Sequence, residues 1–237
     1  MPPTKRPIIV ALSGPTSSGK TTIANSLHQL FRNSILIHLD DFYVPDKEIP
    51  FDEVRQESNW DCPEALNYEK FSKYVENVKK NGIDANSGNE AKSYEGDVSL
   101  QLTKEERHHF ELKLSKYQDT PIAFVEGFML YHDPKIVSLF DVKLFFYASY
   151  DCLKARRESR SGYNTVAGFW VDPPGYFEKM VWPEYVKNHA HLFNNNDVND
   201  TLNEYSLKEL QIIPYKNDAN LSLVELLEWS LEQIPLN

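Results

Sequence analysis

The chain is short of cysteine, of basic residues and of long apolar runs, and each shortage excludes something. Its two cysteines, Cys62 and Cys152, stand in unrelated contexts without CxxC spacing. No disulfide framework is expected, and both thiols are read as reduced. Lysine and arginine number 25 against 35 aspartates and glutamates, a formal charge of −10. That deficit argues against a nucleic-acid partner, while an acidic whole can still hold a locally basic site. No run approaches the roughly 18 apolar residues of a membrane span, so no membrane partner is expected. The early apolar run "IIVALS" enters a glycine turn without a small-residue cleavage site, so no secretory signal is expected. Internal repeats and low-complexity tracts are missing as well. The expectation is a cytoplasmic protein, with the nucleus left open, in which the sequons at Asn199 and Asn220 carry no meaning.

What is there is 237 residues, 41% hydrophobic and 13% aromatic, enough to bury the core of one large domain over 1–237. "IIVALS" (8–13) is a continuous, β-branched run ending at a glycine, the pattern of a strand covered on both faces. Beyond Lys20, the residues Ile23, Ala24, Leu27, Leu30 and Phe31 fall on one helical stripe. "SILIHLD" (34–40), "PIAFVEGFMLY" (121–131), "VKLFFYAS" (142–149) and "LQIIPY" (210–215) predict four further strands. A helical pattern through Leu223, Leu226, Leu227, Trp229 and Leu231 follows the last of them. Strands alternating with helices predict an α/β fold with a mainly parallel sheet.

Two stretches break that rhythm. Residues 81–102 are polar and rich in glycine, asparagine and serine, and predict a mobile insertion. "TKEE" (103–106) then reads as a capping box that opens a helix through Phe110, Leu114 and Tyr117. The whole of 81–118 is expected to be peripheral. Residues 160–176 predict a long loop after an arginine-bearing helix.

Gly14-Pro15-Thr16-Ser17-Ser18-Gly19-Lys20-Thr21 satisfies GxxxxGK(S/T), between a buried-type strand and a helix. Glycines let the backbone turn tightly, so that successive N–H groups face an anion at a helix N-terminus. Lys20 reaches the outer phosphates, and the Thr21 hydroxyl suits Mg²⁺. Ligands of such a sheet bind beyond the C-terminal ends of its strands, and three acids fall there. Glu126 closes "IAFVEG" and suits metal coordination, direct or through water. Asp40 ends "SILIHLD" and can take a proton from an attacking hydroxyl. Asp41 follows it, and for all three a solvated strand-end acid or helix cap is the plainer reading. A GTPase switch would need DxxG and NKxD; "VEGF" and "YKND" are neither.

"YDCLKARRESR" (150–160) places Arg156, Arg157 and Arg160 within two turns, beside Lys154. Four cations so close repel one another unless anions are near, and arginines over a transferring phosphoryl group balance its developing charge. The plainer alternative is a solvated basic face paired with Asp151 and Glu158. The glycines and aromatics that follow suit a lid over about 156–176 that excludes water. His108 and His109 are helical neighbours pointing about 100° apart, and "HAH" (189–191) lies in a helical pattern, so no histidine metal site is expected. Met129 and Met180 read as core.

With the cradle, "HLDDFY", "NWDCPEALNYEKF", "FVEGFMLY", the arginine helix and "DPPGYFEKMVWPEY" in this order, the chain resembles the nicotinamide riboside kinases. That family sits among the uridine kinase-like and adenylate kinase-like P-loop kinases, and the resemblance covers most of 7–230. "DDFY", "WDxPEAL" and "DPPGYF" are far more specific than the cradle. Three departures stand out: Trp60 replaces a tyrosine usual in some relatives, the loop between Arg160 and Asp172 is longer than the family's short form, and the insertion at 81–118 is extra.

The resemblance implies a P-loop kinase fold of five strands with a lid, and transfer of phosphate from ATP to the 5′-hydroxyl of nicotinamide riboside with Mg²⁺. Nicotinic acid riboside is implied as a second acceptor, and GTP as donor is left open. It implies Asp40 as general base, with Lys20 and Arg160 assisting the transfer, and Thr21, Asp40 and Glu126 around the metal. ATP falls to Gly14, Pro15, Thr16, Ser17, Ser18, Gly19, Lys20, Thr21 and Thr22, to Arg156 and Arg160, and to Asn217, Asp218, Ala219 and Asn220. The nucleoside falls to Asp40, Asp41, Phe42 and Tyr43, with Trp60 and Tyr163, joined by Asn164, about the ring. Asp61 and Arg157 fall at the ribose 2′- and 3′-hydroxyls, and Asp172 in the lid. A pyridinium between aromatic faces gains roughly 0.5–2 kcal/mol; core packing is the plainer reading of both rings. The expected state is a monomer acting on a small molecule. The rivals are the same chemistry on uridine, cytidine or pantothenate, and a non-catalytic NTP-binding regulator.

Overall fold

Residues 6–86, 99–160, 162–165, 168–218 and 222–236 are described by a computed structural model. Five strands form its centre: β1 (Ile8–Ser13), β2 (Ser34–His38), β3 (Ile122–Gly127), β4 (Val142–Tyr147) and β5 (Ile213–Lys216). Their order across the sheet is β2-β3-β1-β4-β5, and every pairing is parallel. A parallel sheet is covered on both faces. Accordingly Ile9 to Leu12, Ala123 to Val125 and Leu144 to Phe146 have no exposed surface.

Alternate side chains feed two cores. Val10, Leu12, Phe124 and Phe146 meet α1 (Lys20–Leu30), α3 (Lys104–Leu114) and α6 (Leu223–Glu232) on one face. Ile9, Ala11, Val125 and Phe145 meet α2 (Tyr68–Asn81) and α5 (Trp182–His189) on the other. The arginine helix is α4 (Tyr150–Glu158), which ends before Arg160. No helix among the described residues is long and apolar enough to cross a membrane. Both cysteines are free, and burial pushes the Cys62 thiol up to about 11.

The strands are shorter than their apolar runs. Leu39 and Phe42 are buried in a 3₁₀ turn after β2, and Met129, Leu130 and Tyr131 in the turn after β3. Leu210 and Ile212 are buried ahead of β5, where Gln211 takes φ 56 and breaks the extended run. Burial made each run apolar; backbone pairing stops sooner.

Two expectations need correcting. The stretch 81–118 is not wholly peripheral. Residues 87–98 lie outside the described residues, but α3 drives Phe110 and Leu114 into the core at 1% exposure each, worth about 1.5–3 kcal/mol apiece. The Leu100 N–H also donates to Ser26 Oγ at 2.9 Å. The capping box is real: Thr103 Oγ1 accepts from the Glu106 N–H, and the Glu106 carboxylate from the Thr103 N–H. Within the expected loop of 160–176, Tyr163–Thr165 pairs with Gly168–Trp170 in an antiparallel hairpin. Three-residue strands are too short to show a period in sequence.

At the end of α5, His189 is fully buried between Phe145 and Tyr185; its Nδ1 donates to the Tyr185 carbonyl and its Nε2 has no partner. Burial pushes its pKa down from 6.5 to about 3. The unfolded chain therefore takes up this proton below about 6.5 while the folded chain refuses it. Stability present above that pH is lost on acidification, at about 1.4 kcal/mol per pH unit. His132 and His191, also lowered by burial, act in the same direction. His189→Phe keeps the ring stack and removes the proton, so its urea midpoint should fall less steeply between pH 6.5 and 4.5 than the parent's. Parallel curves would refute the assignment.

Candidate active site

The turn from β1 into α1 is the cradle. Gly14 takes φ 146, and a Cβ there would lie 1.9 Å from the Phe146 carbonyl oxygen of β4. Gly19, at φ 98, caps α1 without a side chain, and Ser17 at φ 62 completes the inward curl. The Ser17 and Ser18 hydroxyls are buried without a partner. Unpaired polar atoms at a helix N-terminus fit a phosphate group. The Ser18 carbonyl is held by the Asn217 side-chain amide at 2.8 Å.

Beside the cradle, Thr21 Oγ1 donates to Glu126 Oε2 at 3.0 Å, and His38 Nδ1 donates to Glu126 Oε1 at 2.7 Å. Parallel register brings this about, since His38 stands opposite Glu126 across β2 and β3. Burial raises Glu126, but the His38 hydrogen bond and the Lys20 charge outweigh it and hold the carboxyl below its usual range. Burial lowers His38, and Glu126 overrides that to raise it. Each partner thus favours the other's charged form, carboxylate on Glu126 and imidazolium on His38. An ionised carboxylate and a hydroxyl are hard oxygen donors. Mg²⁺ needs few protein ligands when phosphates and waters complete its shell, so Thr21 and Glu126 fit it. No cluster of three or more histidine, cysteine or acidic residues able to hold a metal occurs among the described residues.

Asp40, in the 3₁₀ turn after β2, is exposed. Asp41 is half-buried with Oδ2 unpartnered, and burial raises it. Phe42 turns inward against Phe71 and Tyr74, at 5.2 and 5.6 Å between ring centroids, so its side chain supports the segment from the core. Tyr43 donates its hydroxyl to the Trp60 carbonyl at 3.0 Å and meets the Trp60 ring edge-on at 5.5 Å. Phe128 stacks on Tyr43 at 6.5 Å between ring centroids.

Across the site, α4 delivers its arginines. Arg157 is 8% exposed. Its Nε and Nη2 grip Asp172 at 2.5 and 3.0 Å, and its Nη1 donates to Thr16 Oγ1 at 3.0 Å. Arg156 Nη1 donates to the Asn217 carbonyl at 2.9 Å, and Asp218 Oδ1 accepts the Ser149 N–H at the start of α4. Arg157 and Arg160 line a cavity of about 200 Å³ with Asp172 and Tyr176. Tyr176 also donates to Asp61 Oδ2 at 3.1 Å. The backbone of Tyr163 and Asn164 lies in the hairpin; their side chains, and Ala219 and Asn220 entirely, lie outside the described residues.

Three residues escaped the sequence reading: His38, Phe128 and Tyr176. A histidine inside an otherwise apolar strand, "ILIHL", was the one available signal for the first. Phe128 and Tyr176 lie inside "FVEGFMLY" and "DPPGYF", where nothing in the sequence itself separates them from core aromatics.

Along the sheet's C-terminal edge the order is therefore Asp40, Glu126, cradle, arginine helix and Asn217. A profile of the phosphoribulokinase/uridine kinase family matches residues 9–164. The chain is 40% identical over 211 residues to a nicotinamide riboside kinase of Eremothecium gossypii, covering 87% of this chain and 86% of that one. It is 36% identical over 236 residues to one of Schizosaccharomyces pombe (98% and 97%) and 38% over 236 residues to one of Saccharomyces cerevisiae (97% and 96%).

Proposed function

The chain belongs to the phosphoribulokinase/uridine kinase family, among its nicotinamide riboside kinases, and from that premise we propose that it phosphorylates the ribose 5′-hydroxyl of nicotinamide riboside with ATP. One observation carries the acceptor assignment: the aromatic wall of Tyr43, Trp60 and Phe128 begins three residues after Asp40. The acceptor's pyridinium is a cation, and a cation on aromatic faces gains roughly 0.5–2 kcal/mol.

The cradle's N–H groups and Lys20 hold the β- and γ-phosphates. Asp40 takes the proton from the 5′-oxygen as that oxygen attacks the γ-phosphorus in line with the leaving ADP. Arg156 and Arg160 balance charge on the phosphoryl oxygens. Thr21 and Glu126, with Asp40, would hold Mg²⁺, which when bound neutralises charge between the β- and γ-phosphates. Asp61 and Arg157 take the ribose diol. Nicotinic acid riboside enters the same site, and GTP is an alternative donor.

A panel of nicotinamide riboside, nicotinic acid riboside, uridine and cytidine under saturating ATP, with products identified by mass, tests this. Nicotinamide riboside should turn over with the highest kcat/KM, by about tenfold or more over uridine, the advantage one pyridinium–aromatic contact supplies. Faster turnover of uridine would overturn the acceptor assignment.

A further inference from the structure

Tyr176 belongs to "DPPGYF" and has no task in the reaction as described. Its hydroxyl donates to Asp61 Oδ2 at 3.1 Å, across 115 residues of chain. Its ring lies against the Arg157 guanidinium, 5.8 Å from Cζ to the ring centroid. The side chain is 4% exposed, packed with Leu153, Phe177 and Met180, so the ring has one place to be. Asp61 is fixed from its other side: its N–H donates to Asn59 Oδ1 at 3.1 Å, and the Asn59 amide donates to buried Glu184 at 3.0 Å.

A carboxylate on a single-carbon stem turns freely about its last torsion. A donor on one oxygen fixes the plane and aims the other oxygen. A buried tyrosine hydroxyl needs a partner, and a backbone carbonyl would satisfy it; here the partner is the acid assigned to the sugar. We propose that Tyr176 is a positioning residue for acceptor recognition, setting Asp61 with its hydroxyl and Arg157 with its ring as one preformed pair for a vicinal diol. This rests on the reading that Asp61 and Arg157 hold the ribose 2′- and 3′-hydroxyls. It accounts for a tyrosine in "DPPGYF" where phenylalanine would pack equally well.

The test uses the full chain, Tyr176→Phe and Asp61→Asn, each assayed with nicotinamide riboside and its 2′-deoxy counterpart. Tyr176→Phe should raise KM for the riboside about tenfold, the effect of one hydrogen bond to a charged group, with kcat within about twofold. The preference for riboside over deoxyriboside should fall by a similar factor, and Tyr176→Phe should add little once Asp61→Asn is present. A folding defect lowers turnover of both acceptors alike, so their ratio reads the role even if Tyr176→Phe melts earlier. An unchanged ratio in Tyr176→Phe, with the ratio collapsed in Asp61→Asn, overturns the positioning role alone. An unchanged ratio in Asp61→Asn overturns the diol reading and the positioning role together.

Discussion

Asp40→Ala is expected to lower kcat by about 10³-fold, within the range general-base removal produces, while the protein folds and binds metal-free ATP as before. The residue is exposed in the turn after β2, so its loss should change stability by no more than about 0.5 kcal/mol. Leu39 and Phe42, buried on either side of the acid pair, keep the turn in place. The phosphate donor is held two strands away, at the end of β1, by residues that do not include Asp40. The signature is therefore a collapsed kcat with an unchanged Kd for ATP titrated without Mg²⁺, measured by product mass and by calorimetric titration. Near-normal turnover would exclude Asp40 as the base, leaving Asp41 as the nearest acid in sequence.

Gly14→Ala should do the opposite, removing ATP binding and costing stability together. The added Cβ would sit 1.9 Å from the Phe146 carbonyl oxygen and 3.0 Å from Ser18 Oγ, at φ 146. Phe146 has no exposed surface and lies within β4, so its carbonyl cannot retreat without parting strands. The cradle must yield instead. A loss of about 3 kcal/mol or more follows from such overpacking, or some 6–12 °C in Tm for a chain of this size. Gly19→Ala is the milder comparison: at φ 98 it is strained too, but its Cβ would meet Asn217 Nδ2 at 3.2 Å and Leu223 at 3.3 Å, side-chain atoms that yield more readily than a strand carbonyl. Scanning calorimetry and ATP titration on both variants decide the matter, and a Gly14→Ala protein that melts and binds like its parent would refute the geometry.

The sheet was legible because each strand's covering is written in its own residues. "IIVALS" needs no partner to be read as buried on both faces, and the α1 stripe announces which side it hides. The cradle was legible because its chemistry is local, from Gly14 to Thr21. What joins distant segments left no local mark. His38 and Glu126 are 88 residues apart, and only parallel register shows that they face one another. Residues 99–118 read as peripheral because a polar tract precedes them, although Phe110 and Leu114 carry the spacing of a core helix. The hairpin at 163–170 has too few residues per strand for any period to emerge. Phe42 shows the reverse failure. It stands in the segment most specific to the acceptor, yet its ring belongs to the core, since neighbours in a 3₁₀ turn point in different directions.

The Asn217 amide reaches back 199 residues to the Ser18 carbonyl, so the first loop made is finished by one of the last segments made. During synthesis from the N-terminus, β1, the cradle and α1 emerge early, yet the loop lacks this brace until β5 docks beside β4. Such a contact is among the slowest to form, because closing so long a loop must precede any gain from it. A nascent chain halted before residue 217 therefore holds every residue of the nucleotide motif without its finished shape. Nucleotide binding becomes a report that the whole sheet has assembled.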